Sequence, residues 1–430
     1  MTAQPPTPEQ PQSPMHAFVP AVTVLFVVII VVALLVSRLT GSSRTGRGSS
    51  ADIAPTSSVP PDSNRMGVAQ PLTEPISPTG DAAFDAGVTE VARFVEATRG
   101  HPFLDQVRVD LVDDSLFTVL LLADFESGIS DIRTTEITLK ALGMLPPDAD
   151  LVSEVRRSLG AGVIGFYDPS SAQLVIRGTA LTPFTRTTLA HELTHALDDQ
   201  WFDLDRAALN TAGSEAQFGF QALVEGTATW VEQLWTDTRT PLERAAATTE
   251  AREFSRNMIA GGFSVSVVQI IESPYTLGSA FVESITSGDG AVAIDRAFES
   301  PPINSEQILH PEKYVERELP IEVAAPPSDG PPLTEETLGE LDLTAMLSTS
   351  LAPAVARTAG EGWGGDRYVV WRGSSGSSCI RLDVIGDTPE DSREIADGLR
   401  SWSSAQPMSA QPGTSVEALA PGFTRLTSCR

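Results

Sequence analysis

The stretch TLAHELTHALDDQ, residues 188–200, constrains this chain more than any other feature of its sequence. The chain has five histidines, and His191 and His195 stand four residues apart with Glu192 directly after the first of them. In a helix, positions i and i+4 lie one turn apart on the same face, so both imidazole rings can bind one metal ion. The stretch therefore predicts a helix that carries two ligands of a metal site.

The sequence around these histidines supports a helix. Thr182 is a suitable N-cap, Pro183 stands at the first helical position, and residues 184–199 contain neither glycine nor proline. Leu193 belongs to an apolar stripe and points away from both histidines. One face of the helix is therefore predicted to pack, while the other faces the metal.

A catalytic zinc takes three protein ligands and leaves one position for water, so a third ligand is needed. Glu225 is the candidate, because it lies in an otherwise apolar helical segment between Val224 and Gly226, where a carboxylate is costly to bury unless it meets a cation. The small neighbours would let this helix approach the metal helix closely. The alternative is an exposed glutamate on an amphipathic helix, with Glu215 and Glu232 as the other candidate ligands.

Glu192 is the candidate general base, since it lies beside the histidine face within reach of a metal-bound water. In this interpretation zinc lowers the pKa of its water, and Glu192 takes the proton as the water attacks a carbonyl carbon. Glu192 then returns the proton to the leaving amine. If Glu192 is instead a solvated helix charge, the metal site is structural.

The motif HELTH followed by VEGTA resembles the gluzincin class of zinc metallopeptidases, in which the third ligand is a glutamate on the next helix. The resemblance covers about residues 85–320. It implies His191, His195 and Glu225 as Zn2+ ligands and Glu192 as the base. It also implies a strand beside the cleft and a largely helical lower subdomain.

The sequence also departs from related patterns. No third histidine follows in the short metzincin spacing, which excludes that class. The thermolysin-like pattern places an aspartate four residues after the ligand glutamate, to orient a histidine, and here that position is Thr229. We expect the orienting carboxylate elsewhere, and Asp198 or Asp199 could supply it from about one turn beyond His195.

The residue that would stabilise the oxyanion is left open between two candidates. Tyr275 and His310 both lie downstream, where such peptidases often supply a tyrosine or a histidine, and either could equally be structural. His101, in RGHPFLD, is predicted to be a loop residue.

The sequence as a whole predicts an α+β fold, with a mainly helical zincin-like metallopeptidase domain that contains a small sheet and a small C-terminal α+β domain. The predicted divisions are a disordered tail at 1–16, a transmembrane helix at 17–38, a flexible linker at 39–80, the metallopeptidase domain at 81–324, a linker at 325–345 and the C-terminal domain at 346–430.

Two parts of these domains are predicted in more detail. The pattern of residues 161–178 predicts two strands joined by a turn, directly before the metal helix. This hairpin could hold an extended peptide substrate at its edge, or it could be purely structural. In the C-terminal domain a helix is predicted from Pro389 to about Ser404, capped by Thr388. Its buried stripe comprises Ile395, Leu399 and Trp402.

The net charge of the chain argues against one class of partner. The formal net charge is −27. Because phosphate binding needs a positive field, nucleic acid is not expected as a partner. The acidic excess is more often a property of solubility than of recognition.

The run AFVPAVTVLFVVIIVVALLV, residues 17–36, is uncharged and long enough to cross a hydrocarbon core. It predicts a membrane anchor, with a cleaved signal peptide and a buried core helix as alternatives. Arginines that follow the run would place the large domain in the cytoplasm. The isolated pair Cys379 and Cys429 instead suits a disulfide in an extracytoplasmic domain, unless the two are unrelated buried thiols.

Together these features predict a membrane-anchored, extracytoplasmic zinc metallopeptidase that acts on a peptide or protein substrate. The competing interpretation is a zinc-stabilised, catalytically inactive protein that binds an envelope partner. Metal-assisted hydrolysis of a non-peptide bond is a third alternative.

Overall fold

The computed structural model describes residues 71–123, 125–169, 171–210, 212–259, 265–407, 413–419 and 422–430. These residues form an α+β fold in which helices dominate and two small sheets are present, so the predicted fold class is confirmed at this level. The predicted tail at 1–16 and most of the predicted linker at 39–80 lie outside the described residues.

The helices and strands are numbered in chain order. The helices are α1 Ala82–Arg99, α2 Asp114–Leu121, α3 Phe125–Ala141, α4 Leu151–Gly162, α5 Pro183–Phe202, α6 Ala207–Asn210, α7 Ser214–Asp237, α8 Pro241–Ile259, α9 Val265–Asp289, α10 Ala291–Glu299, α11 Ser305–Leu309, α12 Pro311–Glu316, α13 Gly339–Ser348, α14 Pro353–Gly360 and α15 Pro389–Ala405. The strands are β1 Arg108–Val112, β2 Gly165–Asp168, β3 Gln173–Arg177, β4 Pro332–Glu336, β5 Trp363–Arg372, β6 Ser378–Gly386, β7 Thr414–Ala418 and β8 Thr424–Cys429.

The prediction of a single-pass membrane protein requires correction. Within the part of the chain that the structure describes, no helix combines the length and the apolar character needed to cross a membrane. The prediction is wrong for these residues, and the segment 17–38 on which it rested lies outside them.

The first sheet lies beside the predicted metal helix. Its strand order is β1-β3-β2, with β1 parallel and β2 antiparallel to β3, so β2 occupies an edge. The hairpin predicted within 161–178 is confirmed as β2 and β3. Leu174 and Ile176 on β3 pack with Leu189 and Leu193 of α5 in one apolar core, which fixes α5 against the sheet.

Local sequence explains where α5 begins. The Thr182 side chain accepts a hydrogen bond from the Thr185 amide, and Pro183 occupies the first turn. The predicted cap is therefore confirmed. The helix ends before Asp203, which adopts the left-handed conformation at φ 57°.

A pair of glycines sets the distance between α7 and α9. A Cβ atom added at Gly226 would lie 2.2 Å from the carbonyl oxygen of Gly278, and one added at Gly278 would lie 2.0 Å from the carbonyl oxygen of Ala222. Gly226 therefore makes its closest approach to α9, and the expectation that small residues around Glu225 let α7 approach the metal helix stays a prediction.

The C-terminal strands form an antiparallel sheet with the order β4-β5-β6-β8-β7. The stripe of α15 is buried as predicted, and the Thr388 cap forms a capping box with Asp391. Cys379 and Cys429 face each other across β6 and β8 and form a disulfide. Within the predicted linker 325–345 the structure contains β4 and most of α13.

This C-terminal part is not packed separately from the rest. One apolar core includes Phe125 from α3 together with Ile380 from β6 and Trp402 from α15. The Ser428 hydroxyl donates a hydrogen bond of 2.7 Å to the carbonyl oxygen of Ala141 at the end of α3. The C-terminal sheet therefore packs directly against the helical part of the chain that precedes it.

Candidate metal centre

Two helices bring the predicted ligands together. α5 supplies His191 and His195, and α7 supplies Glu225. The Nε2 atoms of His191 and His195 lie 3.2 and 3.5 Å from the same carboxylate oxygen of Glu225. One candidate ligand atom from each residue falls within 4.8 Å of the others. Residues 30 positions apart in sequence thus form one cluster, and their role as ligands remains a prediction.

The cluster is fully enclosed by protein. His191 and His195 are each 1% exposed, and Glu192 and Glu225 are 0% exposed. Burial disfavours a charged Glu225, but its contacts with His191 and His195 outweigh that effect and lower its pKa. The carboxylate is thus held in the charged form that binds a metal ion.

The two histidines differ in their surroundings. Burial opposes the charged form of His191, yet hydrogen bonds with Glu225 and Glu232 raise its pKa to about 10. Burial lowers the pKa of His195 despite the nearby Glu225. The two rings also differ in their contacts. Carboxylates lie next to both ring nitrogens of His191, whereas the described contact of the His195 ring with a carboxylate is at Nε2.

Glu192 is the most unusual carboxylate of the cluster. Neither of its oxygens makes a well-formed hydrogen bond. Burial raises its pKa to about 8, against the attraction of His191, and the backbone amide of Tyr167 on β2 lies near enough to favour the charged form slightly. A buried carboxylate without a partner costs free energy, which is typical of a group kept available for chemistry.

The two other candidate ligands occupy different places. Glu232 lies beside the cluster, and its carboxylate is 3.2 Å from Nδ1 of His191. Glu215 lies nearly three turns before Glu225 on α7 and accepts hydrogen bonds from the amide and hydroxyl of Ser305, at 2.8 and 2.6 Å. Glu232 therefore belongs to the site, while Glu215 joins α7 to α11.

The carboxylates expected to orient a histidine have other partners. Asp198 accepts a hydrogen bond of 2.8 Å from Arg99, and Asp199 accepts one of 2.8 Å from the hydroxyl of Tyr167. The expectation that Asp198 or Asp199 fills this position is therefore wrong. The carboxylate that the structure places beside a histidine is that of Glu232, which the sequence predicted only as an alternative ligand.

The remaining histidines and Tyr275 are also placed. Tyr275 is buried on α9 and its ring stacks on His191, with centroids 6.0 Å apart. His310 bonds to Glu340 on α13 at 3.0 Å, so its described partner belongs to the C-terminal part. His101 lies in a loop, as predicted, and bonds to Asp295 at 2.8 Å. Of the two oxyanion candidates, the structure brings Tyr275 next to the cluster.

The donor set fits zinc. Nε2 of His195 and one oxygen of Glu225 are buried without a hydrogen-bond partner. Two imidazole nitrogens and a carboxylate are the ligands that catalytic zinc takes, and a bound cation would satisfy the unpaired atoms. This agreement rests on the chemistry of the donors and on the two unpaired atoms.

A second acidic cluster is of a different kind. Glu306, Glu318 and Asp387 also bring carboxylate oxygens within 4.8 Å of one another. The ammonium group of Lys313 lies 2.6 to 2.8 Å from all three. Because a fixed positive charge already occupies this position, the cluster links α11 and α12 to the C-terminal sheet and has no need of a metal.

Comparison with known proteins adds information about one end of the chain. Residues 330–423 match a family described as a domain of unknown function (DUF8575). That range contains β4 to β7 and begins after α5 and α7, so it does not include the candidate metal centre. No curated protein and no solved structure matches the chain.

Proposed function

We propose that this chain is a zinc-dependent metallopeptidase of the gluzincin class, which hydrolyses peptide bonds. One observation carries the proposal. His191, His195 and Glu225 converge in a buried cluster, and the carboxylate of Glu192 lies beside them without a well-formed hydrogen bond. The three residues match the ligand chemistry of zinc, and Glu192 matches the requirement for a nearby base.

Bound zinc, Glu192 and Tyr275 would have separate roles in hydrolysis. When bound, zinc would lower the pKa of a water molecule and polarise the substrate carbonyl. Glu192 would take a proton from the attacking water and pass it to the leaving amine. Tyr275, stacked on His191, is the candidate for stabilising the oxyanion.

The position of β2 supports a peptide as the substrate. β2 forms an edge of its sheet, and the backbone of Tyr167 on this strand lies next to Glu192. A peptide that pairs with the free edge of β2 would therefore place its backbone beside the base. Strand addition supplies main-chain hydrogen bonds for any sequence, which is what a peptidase needs from its substrate site.

The burial of the cluster also supports one competing function. Since the four central side chains are 0–1% exposed, a peptide reaches them only after covering residues, including Tyr275, move. Complete burial is also typical of a structural zinc site. The alternative is therefore a zinc-stabilised binding protein without catalytic activity.

The experiment combines zinc analysis with peptide turnover in the full chain. We expect close to one zinc per chain in the parent and in Glu192→Gln, together with turnover of a mixed peptide library by the parent. Glu192→Gln should lose turnover by about 10²- to 10⁴-fold, the usual contribution of a general base. Zinc binding without any turnover would favour the binding protein, and a folded parent that binds no zinc would disprove the proposal.

A further inference from the structure

We propose that Glu232 is the positioning residue for His191: it holds the ring in its orientation and fixes the proton on Nδ1. The inference rests on the proposed zinc site, but it concerns a contact within this chain. The carboxylate of Glu232 lies 3.2 Å from Nδ1 of His191, and that of Glu225 lies 3.2 Å from Nε2 of the same ring. One helix therefore brackets one imidazole between two carboxylates.

The spacing of the two glutamates on α7 explains this arrangement. Glu232 follows Glu225 by seven residues, which is close to two full turns of an α-helix. The two side chains therefore leave the helix on the same face, about 10 Å apart along its axis. His191, on the neighbouring helix, lies between them.

The environment makes this contact consequential. Glu232 is 9% exposed and His191 is 1% exposed, so water does not compete freely for the hydrogen bond. Hydrogen bonds in such surroundings are stronger than in water, and removing one partner leaves a buried polar group unpaired. A carboxylate that only decorated the surface of α7 would have neither property.

The chemical effect follows from which nitrogen carries the proton. With a metal bound, an Nδ1–H that donates to Glu232 would leave the lone pair of Nε2 free to bind the ion. A carboxylate at Nδ1 also makes Nε2 more basic and restrains rotation of the ring. Glu232 would therefore tighten metal binding without contacting the metal itself.

No other carboxylate proposed for this role has the geometry. Asp198 is bonded to Arg99, and Asp199 is bonded to Tyr167. The position four residues after Glu225 is Thr229, which carries no carboxylate. Glu232 thus takes a function that the sequence pattern assigned elsewhere.

The first test measures zinc affinity in the full chain by competition with a chromophoric chelator. Glu232→Leu removes the acceptor, and we expect zinc to bind about 10- to 100-fold more weakly, the usual cost of losing such a partner. Glu232→Gln keeps an oxygen that can accept from Nδ1, so it should restore part of the affinity. Glu215→Gln is the matched control on the same helix, with no contact to the cluster, and should bind zinc as the parent does.

A second readout does not depend on zinc. With only five histidines in the chain, ¹⁵N-histidine labelling can resolve the His191 ring by NMR. We expect an Nδ1 proton protected from exchange in the metal-free parent and its loss in Glu232→Leu. If Glu232→Leu lowers the melting temperature but leaves both zinc affinity and the Nδ1 proton unchanged, Glu232 is only structural and the inference is wrong. A parent that binds no zinc but shows the protected proton would reject the proposed function while leaving the contact established.

Discussion

The candidate metal centre and the C-terminal sheet both bury carboxylates, but they treat them differently. In the sheet, Asp366 accepts hydrogen bonds from the amides of Leu338 and Gly339 and from the indole of Trp363, at 2.7 to 2.9 Å. In the metal centre, Glu192 makes no well-formed hydrogen bond. A satisfied carboxylate ties elements together, whereas an unsatisfied one remains available for a ligand or a proton.

The largest difference between the regions should appear when a ligand is removed. Glu225→Ala leaves His191 and His195 without the carboxylate that joins them, so we expect zinc affinity to fall by about 1,000-fold, or about 4 kcal/mol. Chelator competition measures this change. The fold of the C-terminal sheet should persist, and retention of tight zinc binding would contradict the ligand assignment.

Removing the disulfide changes the C-terminal sheet and leaves the residues of the metal centre unchanged. Cys379→Ser with Cys429→Ser removes the bond between β6 and β8, and we expect the free energy of unfolding to fall by about 2 to 4 kcal/mol. Denaturant titration measures this loss. Zinc affinity of the folded variant should stay within about twofold of the parent, because no disulfide atom belongs to the cluster; a larger change would show that the sheet supports the site.

A substitution at the contact between α7 and α9 should have a smaller effect on the metal centre, because it acts through helix packing. Gly226→Ala adds a Cβ atom 2.2 Å from a backbone oxygen of α9, so the helices must separate, at a cost of about 1 to 3 kcal/mol. Because α7 also carries Glu225, zinc affinity should fall too. Gly288→Ala is the control: this glycine lies on α9 with no atom within 4 Å of an added Cβ, and alanine there should stabilise slightly. Equal effects of the two substitutions would argue against close packing at Gly226.

The smallest effect concerns pH and the sheet. Burial raises the pKa of Asp366 to about 6 from 3.8, in spite of the hydrogen bonds from Leu338, Gly339 and Trp363. Between these two values the folded protein holds a proton that the unfolded chain has released. The free energy of unfolding should therefore fall as pH rises through this range, by less than about 1.4 kcal/mol per pH unit.

Comparison of Asp366→Asn with the parent isolates this contribution. The variant has no carboxyl group to titrate at this position, so its unfolding free energy should change less between pH 4 and pH 6. Denaturant titrations at several pH values measure the difference. A steeper decline in the variant than in the parent would show that Asp366 has the opposite effect on stability.

Local patterns in the sequence predicted several elements because their causes are local. The cap at Thr182, the hairpin β2–β3 and the helix α15 after Thr388 depend on residues within a few positions of one another. The segment 325–345 misled for the opposite reason. Its prolines indicate a linker, but β4 pairs with β5, more than 25 residues further along the chain.

By itself the sequence determined that His191 and His195 share a helix face, since a spacing of four residues has only one consequence in an α-helix. It also predicted Glu225 as a ligand, because an isolated carboxylate in an apolar helix needs a positive partner. Only the tertiary structure decided which nitrogen meets which carboxylate. Glu232 reaches Nδ1 of His191 because of how α7 lies against α5, and that depends on the packing of α7 with its other neighbours rather than on any spacing along the chain.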